Sequence, residues 1–219
     1  MGAGKRADKL LKGGTCKLSI WREGRMKNFT AILEGVAVSI IENVCKRIGL
    51  VDIINHLAGN KTHKKNVPPI GERTKLMITN RLTSPTPLYK IKDWFNNNGL
   101  EMFYGCKADS FNDDALGRAL EKIADNGSLI ISKVSLAAAD AYNLKFSKLY
   151  TDVTSISFEG AYEKSNQIKH GYNRDKRPDL KQLNISLNVD PKSRLPLGFD
   201  VYAGNTPDAK IIIPSTRKK

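Results

Sequence analysis

One acidic side chain stands where acids are seldom tolerated. Asp152 falls in the middle of Leu149-Tyr150-Thr151-Asp152-Val153-Thr154-Ser155-Ile156-Ser157-Phe158, a run of β-branched and aromatic residues that reads as a strand. A carboxylate inside a sheet is costly unless it is solvated, hydrogen-bonded or bound to a metal. Asp152 is therefore a candidate metal ligand, with a solvated edge residue as the plainer alternative. Farther along, Lys169, His170, Arg174, Lys176, Arg177 and Lys181 crowd one polar segment. Their chemistry suits phosphate contact, the arginines offering bidentate donors. The same residues also make an ordinary solvated loop in which Arg177 pairs with Asp175 or Asp179, a pairing worth little in stability.

The elements that would hold these residues are of two kinds. From Phe29 to Ile48 the apolar positions Leu33, Val36, Ala37, Ile40, Ile41, Val44 and Ile48 recur at helical spacing, and Gly49 stands where a helix ends in a left-handed residue. Further helices are expected over Val51 to Leu57, Gly71 to Leu82 and Leu88 to Phe95. Asp113 to Ala124 should follow a cap at Asn112 or Ser110, and Leu129 to Leu144 should turn Leu129, Ile130, Val134 and Ala137 or Ala138 inward. After the Asp152 strand, Leu183, Ile185, Leu187 and Val189 alternate with Gln182, Asn184, Ser186 and Asn188, the mark of a half-buried strand. Asp190-Pro191-Lys192-Ser193 supplies turn residues, and Leu195, Leu197, Phe199 and Val201 alternate again, giving a β-hairpin. The expected organisation is a basic arm over 1–28, a helical N-terminal domain over 29–145 with a DNA-binding role, and a strand-rich segment over 146–219.

Composition narrows the function classes. The 219 residues carry 36 Lys+Arg against 22 Asp+Glu, a formal net charge of +14. Such a surface attracts polyanions, and DNA is the expected partner. No run approaches the roughly 18 apolar residues that a membrane span needs, and the basic N-terminus lacks the apolar core of a secretory signal. A cytoplasmic, nucleoid-associated protein is expected. Cys16, Cys45 and Cys106 are odd in number and far apart, which disfavours a disulfide framework or a structural zinc. His56, His63 and His170 show no ligand spacing. In the helical part Arg73, Lys75 and Arg81, with Lys61, Lys64 and Lys65 before them, are candidates for DNA contact or an ordinary solvated face. Trp21 and Trp94 read as core or interface residues.

Two longer stretches carry a resemblance. His170-Gly171-Tyr172-Asn173-Arg174-Asp175-Lys176-Arg177-Pro178-Asp179-Leu180-Lys181-Gln182-Leu183 leads into the hairpin, and Pro196-Leu197-Gly198-Phe199-Asp200-Val201-Tyr202-Ala203-Gly204-Asn205-Thr206-Pro207-Asp208 closes it. With the Asp152 strand, these resemble in order and spacing the insertion-sequence transposases of the DDE, RNase H-like superfamily. Cys45 to Asn55 and Phe111 to Leu120 resemble the helical N-terminal domain of the same transposases, so the likeness spans about residues 30 to 215.

The resemblance implies an α+β chain: a helical domain, then the first three strands of an incomplete RNase H-like α/β domain. It implies DNA transposition by phosphoryl transfer on two Mg²⁺ ions about 4 Å apart. Those ions are held in the family by an Asp on the first strand, a second Asp on a later strand and a Glu on a late helix. Asp152 matches the first, as catalytic and metal residue. Asp200, within the third strand, and Asp208, in the loop beyond, are poor substitutes for the others. The expectation is a truncated transposase that is inactive alone. The alternatives are a non-enzymatic DNA-binding remnant that occupies element ends or inhibits a full-length transposase, and one half of a gene joined by ribosomal slippage. Self-association through an exposed hairpin edge is a further expectation.

Overall fold

The computed structural model describes residues 27–59, 67–172 and 177–217. Residues 1–26 of the expected basic arm, with Cys16 and Trp21, lie outside them, as do Lys61, His63, Lys64 and Lys65, while Lys27 and Asn28 of that arm already belong to the first helix. Helices come first: α1 (Lys27–Arg47), α2 (Leu50–Leu57), α3 (Ile70–Thr83), α4 (Ile91–Asn97), α5 (Glu101–Tyr104), α6 (Asp113–Ala124) and α7 (Gly127–Ala141). Three strands follow, β1 (Tyr150–Phe158), β2 (Lys181–Val189) and β3 (Pro196–Ala203), and then α8 (Asp208–Arg217). The chain is thus α+β, with one antiparallel sheet in the order β1-β2-β3. No helix among the described residues is long and apolar enough to cross a membrane.

Local chemistry sets several boundaries. Gly49 takes φ 66° between α1 and α2, a left-handed conformation that costs glycine nothing. Asn112 caps α6 by accepting from the Ala115 N–H at 2.8 Å, and Asp113 and Asp114 fill the first turn of that helix. Leu88 to Phe95 is not one helix: a 3-10 turn over Leu88–Lys90 precedes α4. At Gly71, near the start of α3, an added Cβ would lie 2.5 Å from the Val51 carbonyl oxygen, so α2 and α3 meet main chain to main chain.

Two apolar clusters build the helical part. Phe95, Phe111, Leu76, Leu116, Trp94, Ile91, Leu100, Ala108 and Val38 form the first, in which the Phe95 and Phe111 rings pack 5.1 Å apart and Tyr104 closes edge-on at 5.6 Å. Trp94 is a core residue, as its sequence suggested. Cys45, Leu50, Ile54, Ala58, Ile70, Ala119 and Ile130 form the second. The inward stripe of α1 is Val38, Ile41 and Cys45, whereas Val36, Ile40 and Val44 are exposed. Helical spacing alone permits either phase, and the packing of Val38 beside Leu76 selects this one. Leu129 is likewise exposed rather than inward, and its helix ends at Ala141, short of Leu144.

The sheet reverses one sequence expectation. On β2 the polar residues Gln182, Asn184, Ser186 and Asn188 are buried, Leu187 is exposed, and Leu183, Ile185 and Val189 are half-buried. Alternation is present as read, but the polar face is the covered one. Helix α8, absent from the sequence reading, lies against the sheet and buries Ile211. Several of the covered amide atoms find partners: Asn188 accepts from Thr151 Oγ1, Asn184 accepts from Ser155 Oγ at 3.0 Å, and Asn184 Nδ2 donates to the Thr206 carbonyl at 3.0 Å, while Asn188 Nδ2 and Gln182 Oε1 are buried without one. Helix α7 takes the far side of β3, where Ser132 Oγ donates to the Leu197 carbonyl at 2.8 Å and Ser135 Oγ donates to that of Pro196.

Candidate nucleic-acid interface and the strand carboxylate

Asp152 sits at the third position of β1, directly across from Leu187 on β2. Its side chain is exposed, and its Oδ1 accepts a hydrogen bond from the Val153 N–H at 2.8 Å. Partners in register present side chains on one face. Asp152 therefore shares a face with Tyr150, Thr154, Ile156, Leu183, Ile185, Leu187, Phe199 and Val201. Asp200 pairs with Ser186, which pairs with Val153, so it belongs to the opposite face. Asp208 opens α8 instead of lying in a loop. Among the described residues no group of three or more His, Cys, Asp or Glu side chains could hold a metal ion. One exposed carboxylate beside apolar neighbours does not fit the two-ion site that the resemblance implies.

The motif segments meet at the other end of the sheet, and what they build there is a main-chain junction. Lys169 and Gln182 exchange both backbone hydrogen bonds, at 3.0 and 2.8 Å. Gln182 is buried, and its Nε2 donates to the carbonyls of Tyr172 at 3.0 Å and Gly204 at 2.9 Å. Gly171 and Gly204 touch through bare backbone: a Cβ on Gly171 would lie 1.9 Å from the Gly204 oxygen, and one on Gly204 would lie 2.0 Å from the Gln182 oxygen. Only glycine permits that approach. The signal for this junction was present in the glycines flanking the hairpin, but their pairing is a long-range fact.

The basic residues divide. Arg177 is held by Asp179, with Nη2 to Oδ2 at 2.7 Å and Nε to Oδ1 at 2.9 Å, the pairing foreseen as the solvated-loop alternative. That contact raises the Arg177 pKa and lowers that of Asp179. Lys181 Nζ donates to the Ala161 carbonyl. His170 is exposed, its Nδ1 3.2 Å from the Pro178 carbonyl oxygen. Lys169 is half-buried beside it. Arg174 and Lys176 lie outside the described residues. The structure thus brings Lys169, His170 and Lys181 to the junction end of the sheet. Asp152 lies five residues along β1 from Ser157, the partner of Gln182, roughly 17 Å away at about 3.4 Å per residue.

In the helical part, Lys75 is not a surface residue. It is buried, and its Nζ lies 2.8 Å from both Glu42 Oε2 and Glu72 Oε2, with the Tyr104 ring 4.6 Å away. Burial pulls the Lys75 pKa down, but the hydrogen bonds and charges of the two glutamates outweigh it and the net shift is upward. Lys75 is therefore withdrawn from the set of DNA-contact candidates. Burial lowers the Arg73 pKa, and the Arg118 charge adds to this; Arg81 is exposed. Beside this cluster lies a cavity of about 410 Å³, lined in part by Glu42, Cys45, Glu72 and Lys75.

Asp190 does more than the turn role that its sequence context predicts. Its Oδ1 accepts from the Ser147 N–H at 2.9 Å and the Lys148 N–H at 3.3 Å, and its Oδ2 accepts from the Ser193 N–H at 2.7 Å and Oγ at 2.8 Å. These donors, that of Ser147 first, hold its pKa far below the usual carboxylate range. The Asp-Pro-Lys-Ser turn announced the Ser193 contacts, while the bond to Ser147, which fixes where β1 begins, had no local signal.

A family model described as "Domain of unknown function (DUF4277)" matches residues 36–136. The match falls within the helical part and ends before β1. No curated protein and no solved structure matches the chain.

Proposed function

We propose that the chain is a DNA-binding protein related to the DDE, RNase H-like transposases, its β1-β2-β3 sheet corresponding to the opening strands of their catalytic domain. The observation that carries this reading is the position of Asp152: exposed, mid-strand and directly ahead of an antiparallel hairpin, as the resemblance requires of the first metal-binding acid. The net charge of +14 supports a polyanionic partner. Lys169, His170 and Lys181, gathered at one end of the sheet, supply its phosphate contacts.

A second reading is favoured by the solitary state of that acid. With Asp200 on the far face, the described strands offer a single carboxylate to the Asp152 surface. On this reading the chain binds DNA without cutting it, occupying element ends or inhibiting a full-length transposase.

Fluorescence anisotropy on duplex DNA across a salt series tests the binding. Affinity is expected to fall steeply with salt, and a Lys169→Ala/Lys181→Ala variant should flatten the log–log slope by about 2. Salt-independent binding, or none, overturns the proposal. Incubation with supercoiled plasmid and Mn²⁺ separates the two readings: nicking that disappears in Asp152→Asn would establish catalysis by this chain, and intact plasmid favours binding alone.

A further inference from the structure

Among the described residues β1 is paired on one side only. At the opposite margin Ser132 and Ser135 of α7 hold the Leu197 and Pro196 carbonyls at the start of β3, whereas the outer edge of β1 pairs with no strand among the described residues. Natural edge strands are usually blunted by proline, by several charges or by cover. This one is nine residues long with no proline and a single charge, Asp152, whose Oδ1 already engages the Val153 N–H. Tyr150 is 62% exposed and Ile156 44%, and Leu187 and Val201 extend the same exposed apolar face.

We propose that this edge pairs antiparallel with the β1 edge of a second copy, about a two-fold axis at Thr154, merging two sheets into one of six strands. The strand is self-complementary in that register. Tyr150 meets Phe158, Asp152 meets Ile156 and Thr154 meets itself on one face, while Thr151 meets Ser157 and Val153 meets Ser155 on the other. A symmetric dimer needs this reciprocity, each contact occurring twice. Charge selects the register. An axis at Asp152 sets two carboxylates face to face, and one at Val153 leaves them diagonal neighbours. The Thr154 axis parts them by four residues, about 13 Å along the strand, and keeps all nine residues of β1 paired. Aromatic pairs at both ends add cross-strand packing. The inference stands whether or not the chain binds DNA.

Sedimentation velocity on the full 219-residue chain over a concentration series tests it, with two variants at the exposed Ile156. Ile156→Glu sets a second carboxylate opposite Asp152 of the other copy at two symmetric points. It should raise the dimer dissociation constant by about tenfold or more. Ile156→Lys sets an opposite charge there and should leave the dimer intact or tighter. A monomer up to the solubility limit overturns the proposal, as does equal loss in both variants, which marks association through the apolar face, or equal retention. Should either variant lose its far-UV circular dichroism, Thr154→Cys replaces it. Oxidative cross-linking beyond that of the unchanged chain supports the two-fold at Thr154, and none overturns it.

Discussion

Asp152 lies opposite Leu187, and this pairing puts the acid of β1 on the apolar side of the sheet while Asp200 takes the polar side. The acid is nevertheless in contact with solvent, and its hydrogen bond to the Val153 N–H asks only for an oxygen acceptor. Asp152→Asn keeps that oxygen. Its effect on stability is expected to be within about 0.5 kcal/mol, as for a surface substitution that breaks no packing. Millimolar Mg²⁺ should leave the melting temperature unchanged, because one carboxylate gives the ion no enclosing geometry. Differential scanning fluorimetry reads both. A Mg²⁺-dependent rise that vanishes in Asp152→Asn would mean that other ligands reach this face.

Lys75 makes the opposite case, a charge whose removal the helical part cannot absorb. Lys75→Met leaves Glu42 and Glu72 beside a buried apolar side chain with no cation between them. The loss should be about 3 kcal/mol in a denaturant titration. The Lys75 pKa is raised on folding, so its contribution is complete below the unfolded value, about 10.4, and is lost as pH climbs through the folded one. The wild type should therefore weaken in the alkaline range more than Lys75→Met does, and parallel alkaline limbs in the two proteins would contradict the assignment.

How much of this was legible beforehand depends on the range of each signal. The caps at Gly49 and Asn112, the strand around Asp152 and the hairpin around Asp190 are local, set by residues within a few positions, and the structure places them where the sequence does. Which face of an element is covered is not local. Val36, Ile40 and Val44 carry the same helical spacing as the true inward stripe, and Leu187 alternates as faithfully as the buried Asn188. Only the elements that land on them decide. In the sheet that element is α8, whose amphipathic character was masked by its short length and by Pro214. The candidate site divides in the same way: Asp152 and the basic segment were visible, whereas the Gly171-Gly204-Gln182 junction and the burial of Lys75 required tertiary contact.

The junction yields a contrast between two glycines. Gly204→Ala forces a methyl group to within 2.0 Å of the Gln182 oxygen and 2.6 Å of the Lys169 oxygen, main-chain atoms that cannot swing away. It should cost at least about 2 kcal/mol and loosen the Lys169–Gln182 bridge. Gly117, inside α6, has nothing within 4 Å of a built Cβ. Gly117→Ala should stabilise by about 0.5–1 kcal/mol through helix propensity. Opposite signs in the same thermal assay check the geometry, and a neutral Gly204→Ala would mean that the junction does not form.

Asp190 ties the start of β1 to the hairpin turn, and its protonation state governs both. Its folded pKa lies far below the unfolded carboxylate value of about 3.9. The stabilisation it provides is present above that unfolded value and is lost as pH falls through the folded one. Strong acid should therefore weaken the sheet where β1 meets the hairpin turn. Asp190→Asn keeps one oxygen acceptor but gives up the charge that four donors share. Its melting temperature at neutral pH should drop by several degrees, and the difference from wild type should shrink as the pH is lowered. Hydrogen exchange at Ser147, Lys148 and Ser193 locates the effect: these amides should lose protection in the variant at neutral pH, and unchanged protection there would show that Asp190 does not carry the link between β1 and the turn.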